Sequence, residues 1–128
     1  MKATELRIGN EVFYEETEIT LSISDLVVID LANKQGYEHK YKPIPLTEEW
    51  LLKFGFEETY AKNCFKKRLF ETEHFIYVTI TKTHNILSIG DRYISNEYIM
   101  VFVTNPIEYV HQLQNLFFAL TGNELEIK

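Results

Sequence analysis

The stretch Phe75-Ile76-Tyr77-Val78-Thr79-Ile80-Thr81-Lys82 decides the fold class. Ile76, Val78 and Ile80 alternate with Phe75, Tyr77 and Thr79, and alternation over β-branched and aromatic residues is the period of a strand, not of a helix. Similar runs flank it. Phe65 to Phe70, Asn85 to Ile89 and Glu97 to Val103 are separated from it by short polar connections, the spacing of an antiparallel meander. In the last run Ile99, Val101 and Val103 alternate with Tyr98, Met100 and Phe102, so both faces are apolar, as expected of a strand covered on two sides.

Helical signals bracket this sheet. Thr47 can cap a helix over Thr47 to Phe54, with Glu48 and Glu49 in the positively polarised first turn and Gly55 at the left-handed stop. Leu46 and Leu51 have staple spacing, and Leu51 and Phe56 that of the apolar contact closing a Schellman turn. At the other end Asn105 caps, Pro106 takes the first helical position and Glu108 the capping-box place, for a helix running to Leu120 or Thr121 and stopped by Gly122. At 100° per residue Tyr109, Val110, Leu113, Leu116, Phe117 and Leu120 share one arc, opposite Glu108, His111, Gln112, Asn115 and Ala119. That apolar arc is expected to cover the sheet. Leu125 and Ile127 would add a short closing strand.

Towards the N-terminus Val12 to Tyr14, Ile19 to Ile23 and Leu26 to Leu31 read as short strands of a second meander, with a hairpin at Ser24 and Asp25. A polar stretch from Asn33 to Lys42 follows. The expected architecture is therefore α+β: an N-terminal antiparallel β-meander of SH3-like kind, a short helix, then a four-stranded antiparallel sheet covered by the C-terminal helix. All strands joining one sheet is the alternative. Its 128 residues suit one domain, with subunits 1–42 and 43–128 divided at the polar stretch.

Against 13 Lys and Arg stand 19 Asp and Glu, a net charge of −6 that opposes capture of nucleic acid by the whole molecule. Cys64 is the single cysteine, so no internal disulfide can form. No apolar run approaches the roughly 20 residues of a membrane span, and no leader-like segment follows Met1. These features point to a reduced, cytoplasmic protein without a membrane partner.

The chain lacks H-E-x-x-H, C-x-x-C, G-x-x-x-x-G-K-[ST] and G-x-G-x-x-G, so neither metal binding nor phosphate cradling by a glycine loop has a motif behind it. His39, His74, His84 and His111 are scattered. Cys64 is flanked by Lys62, Lys66, Lys67 and Arg68, but Phe65 and Leu69 set it in a half-buried strand, and an inert thiol is the expectation. No cofactor, metal or catalytic group is expected, and the protein is expected not to be an enzyme.

Three groups could instead make contacts. Ile107 and Phe118 project at the edge of the last helix's apolar arc, beside Gln114 and His111, where the four could touch another chain. Glu11, Glu15, Glu16 and Glu18 form an acidic patch, for which hydration is the ordinary reading. Lys62, Lys66, Lys67 and Arg68, with Tyr60, Phe65 and Phe70, combine charge and aromatic rings as nucleic-acid surfaces do; an edge strand guarded by lysines explains them equally.

Leu6-Arg7-Ile8-Gly9-Asn10, Ile44-Pro45-Leu46-Thr47-Glu48-Glu49-Trp50-Leu51-Leu52-Lys53-Phe54-Gly55-Phe56 and Tyr109-Val110-His111-Gln112-Leu113-Gln114-Asn115-Leu116-Phe117-Phe118-Ala119-Leu120-Thr121-Gly122 resemble a family of small uncharacterised proteins encoded by phages and prophages. The resemblance implies a mobile-element origin and carries no site residues. With it, the expected function is that of a non-enzymatic protein binding and inhibiting a host protein, such as an antiviral defence component of the CRISPR kind. A nucleic-acid-associated accessory protein of a mobile element is the alternative.

Overall fold

The computed structural model describes residues 1–69, 74–82, 85–91, 101–102 and 107–128. Helices and antiparallel sheets make it an α+β protein. The strands form two separate sheets. The chain divides into two units, Met1–Pro45 with Tyr109–Leu116, and Leu46–Glu108 with Phe117–Lys128. The C-terminal helix is thus shared between the units rather than given wholly to the larger sheet.

In the first unit a 3-10 turn (Ala3–Glu5) precedes β1 (Glu11–Tyr14), β2 (Thr17–Thr20), helix α1 (Ile23–Gln35) and β3 (Tyr41–Pro43). The sheet order is β2-β1-β3, with Val12 opposite Ile19 on one side and Pro43 on the other. Leu6, Val12, Leu21, Ile29 and Tyr41 form its core.

Helix α1 corrects the sequence reading, which placed strands over Ile19 to Ile23 and Leu26 to Leu31 and a hairpin at Ser24 and Asp25. The first run is a strand only at Ile19 and Thr20, within β2; from Ile23 onwards a helix stands in place of the expected hairpin and of the strand at Leu26 to Leu31, and the SH3-like reading falls with them. The reason lies in the helix ends. The Ser22 side chain accepts from the Asp25 amide while the Asp25 carboxylate accepts from the Ser22 amide at 2.9 Å, a complete capping box. At the other end Gly36 takes the left-handed conformation with φ 74° and donates its N–H to the Ala32 carbonyl. Ile23, Val27, Val28 and Ile29 together cost the helix about 2 kcal/mol in propensity, which the N-cap, at about 1 kcal/mol, offsets together with burial of Ile29 and Ala32.

In the second unit α2 (Glu48–Lys53) is capped by Thr47, whose hydroxyl accepts from the Trp50 amide. It closes as a Schellman turn: the Phe56 N–H donates to the Leu51 carbonyl and the Gly55 N–H to that of Leu52, both at 3.0 Å, with Gly55 at φ 83°. Leu46, Trp50, Leu51, Phe54 and Phe56 are all buried, and the Trp50 and Phe54 rings lie 5.6 Å apart.

The sheet that follows has the order β4-β5-β6-β7-β8, antiparallel throughout. Its strands are β4 (Glu57–Glu58), β5 (Cys64–Arg68), β6 (His74–Ile80), β7 (Asn85–Asp91) and β8 (Val101–Phe102). The four expected strands are present, with β4 as a short extra edge. Phe70, and all of the Glu97 to Val103 run except Val101 and Phe102, lie outside the described residues.

Helix α3 (Val110–Thr121) starts later than the Asn105-Pro106 signal suggested; those two residues lie outside the described ones. Ile107, Glu108 and Tyr109 are not helical because the backbone on either side is paired elsewhere: the Leu46 N–H donates to the Glu108 carbonyl and the Val110 N–H to that of Ile44, each at 2.9 Å. Gln112 then supplies the reach-back, accepting from the Tyr109 amide at 3.0 Å. Gly122, at φ 74°, ends the helix as expected. The closing strand at Leu125 and Ile127 does not form; Leu125 is buried, and the Lys128 N–H donates to the Lys53 carbonyl at 2.8 Å.

Candidate functional site

The partner surface expected on the last helix is corrected by burial. His111 is 1% exposed, Gln114 3% and Ile107 7%, leaving Phe118, at 37%, as the exposed member. Gln114 is consumed within the first unit: its Oε1 accepts from the Glu11 N–H at 2.8 Å and its Nε2 donates to the Gly9 carbonyl at 3.2 Å. Next to it Asn115 accepts from the Asn10 Nδ2 at 2.8 Å and donates to the Glu5 carbonyl at 2.9 Å. The polar face of α3 therefore ties together the N-terminal loop. His111 stacks on the Tyr109 ring at 5.9 Å with an interplanar angle of 9°. Neither of its ring nitrogens has a partner among the described residues, and burial pushes its pKa below the usual imidazole range, against the opposing pull of Glu5.

The acidic patch is dispersed by local pairing. Glu15 occupies the β1–β2 turn at φ 57° and pairs with Lys40 at 2.9 Å, while Glu11 accepts from the Thr20 hydroxyl at 2.7 Å. Glu16 and Glu18 are exposed. Among the described residues, no three His, Cys, Asp or Glu side chains come together to hold a metal ion. Cys64 is buried, packed with Phe75 and Tyr77, which keeps its thiol away from solvent.

The basic cluster is partly assembled. Lys66, Lys67 and Arg68 line one cleft of about 390 Å³, completed by Gly55, Glu57, Phe75 and Lys128. Lys62 lines a different cleft, with Tyr60. Strand alternation sorts the first three. Lys66 and Arg68 sit over the Phe75 ring at 5.1 and 5.7 Å, whereas Lys67 reaches to the Phe54 carbonyl at the end of α2, donating at 3.0 Å. There the helix dipole favours a cation. Burial, and then the Lys128 ammonium beside it, push the Lys67 pKa down. Lys128 lies so close over Gly55 that a Cβ there would stand 2.8 Å from its Cδ and Cε. Lys128 is the member sequence reasoning missed: the hydrogen bond from its amide to the Lys53 carbonyl, a tertiary contact, holds it here.

A second feature was hidden by the misread helix. On α1, Ile23, Val27, Val28 and Leu31 are 50–67% exposed. Ile23, Val27 and Leu31 recur every four residues and form one stripe, with Val28 adjoining it. The opposite side of α1 carries Ile29 and Ala32 into the core. Tyr37, just beyond the helix, is 70% exposed.

No protein-family model matches the chain, no curated protein matches it, and no solved structure matches it. Among the described residues no helix is long and apolar enough to cross a membrane.

Proposed function

We propose that the chain works by binding, not by bond-making, and that it docks through the exposed stripe of α1 onto a different protein. The reading extends the resemblance to phage and prophage proteins: the partner is a host protein in the cytoplasm, such as an antiviral defence component, held and blocked by contact. The observation that carries it is the stripe itself. A helix apolar on both its inner and outer sides is a buried helix in an ordinary domain, and each half-exposed aliphatic side chain gains about 1 kcal/mol when a partner covers it.

Charge defines the partner further. Residues 1–45 carry eight acidic and five basic side chains, and exposed Glu16 and Glu18 belong to the same unit as α1. The complementary surface is an apolar groove with a basic rim, of about 800 Å² if the contact is of standard size. A nucleic-acid-associated role keeps one observation in its favour, the shared cleft of Lys66, Lys67 and Arg68.

The test is a photo-crosslinking amino acid placed at Val28 and, separately, at exposed Glu124, in a bacterial host. A discrete adduct with another protein from position 28 alone supports docking through α1. The same pattern from both positions, an adduct of two copies of this chain, or none, contradicts it.

A further inference from the structure

The cleft at the edge of β5 has an excess of positive charge that its own residues do not neutralise. Among the described residues its lining holds four basic side chains, Lys66, Lys67, Arg68 and Lys128, against one acidic side chain, Glu57. β4 pairs with β5 only at Lys66 and Phe65, so Lys67 and Arg68 lie beyond the end of that pairing. Lys67 is pinned by the Phe54 carbonyl at 3.0 Å, and Lys128 is laid over Gly55, where the absence of a Cβ leaves room for it. Burial first, and then the Lys128 ammonium, push the Lys67 pKa down, against the opposing pull of Glu57. The volume of about 390 Å³ lies in the range of roughly 300–1,000 Å³ that accepts small ligands.

We propose that this cleft binds a phosphate-bearing anion carrying two or more negative charges, held between Lys67 and Lys128 with Arg68 and Lys66 around it. A monocarboxylate offsets only one of the three surplus side-chain charges. A phosphate group or a pyrophosphate offers several acceptor oxygens to point-charge ammonium donors and to the planar guanidinium fork. The site is independent of docking through α1, and neither reading fails with the other.

Calorimetric titration of the full chain with pyrophosphate at low ionic strength tests it. Saturable binding at one site is expected, weakened about tenfold by Lys128→Gln and by Arg68→Gln. Both substitutions are at exposed positions, so the fold survives them. A short single-stranded oligonucleotide forms the second arm. If the strand binds and is displaced by pyrophosphate, the phosphate comes from nucleic-acid backbone; if only pyrophosphate binds, it comes from a small phosphorylated molecule. Absence of saturable pyrophosphate binding, or affinity unchanged in both variants, overturns the proposal.

Discussion

Asn10 and Asn115 lie 105 positions apart and are hydrogen-bonded side chain to side chain at 2.8 Å. Asn10 is fully buried, and its Oδ1 also accepts from the Arg7 N–H at 2.7 Å. Through this pair the start of α3 completes the first unit. Asn10→Ala leaves the part-buried Arg7 N–H without its acceptor and Asn115 without its donor, so a loss of about 1–3 kcal/mol is expected. Urea unfolding, read as a shift in midpoint with unchanged slope, checks it.

The capping box predicts that Ser22→Ala costs about 1 kcal/mol, measurable as reduced thermal stability. The same corner has an alkaline signature. The Tyr41 hydroxyl donates to Asp25 at 2.8 Å, and burial, then Asp25, raise the Tyr41 pKa from 10.0 to about 12. The neutral phenol is favoured in the folded state, so its contribution is complete below its ordinary pKa and is lost as pH rises towards the folded value. Tyr41→Phe should remove that alkaline limb from a pH–stability profile.

His111 predicts an acid limb of opposite sign. Its pKa is lowered on folding, so the unfolded chain binds the proton more readily. The contribution is present above the ordinary imidazole pKa of about 6.5 and declines as pH falls below it. Stability between about pH 7 and 5 should fall less steeply in His111→Leu than in the parent; parallel profiles would contradict this.

Local signals were readable where caps and packing agree. Thr47, Gly55 and the Leu51–Phe56 spacing fixed α2, and alternation at Phe75 to Ile80 fixed β6. Helix α1 was not, because apolar residues lie on both its sides and leave no helical period to find, while Ile23, Val27, Val28 and Ile29 mimic a strand. The capping box of Ser22 and Asp25 with Gly36 was the usable signal. Burial of His111 and Gln114 had none: the partners of Gln114, Gly9 and Glu11, lie more than a hundred positions away. The cleft was half legible, since the run Lys66 to Arg68 is continuous but Lys128 joins it through tertiary contact alone.

Charging the α1 stripe separates function from fold. Val27→Glu and Leu31→Glu replace exposed side chains, so each should change stability by no more than about 0.5 kcal/mol in thermal unfolding. Large losses would mean the stripe is part of the core.

The most direct measurement compares three immobilised baits in one bacterial extract: the parent chain, the Val27→Glu/Leu31→Glu chain and the Arg68→Gln/Lys128→Gln chain. A host protein retained by the first and third baits and lost from the second is the predicted result. Equal retention by all three, or loss only from the third, would contradict the claim that this protein acts through the outer face of α1.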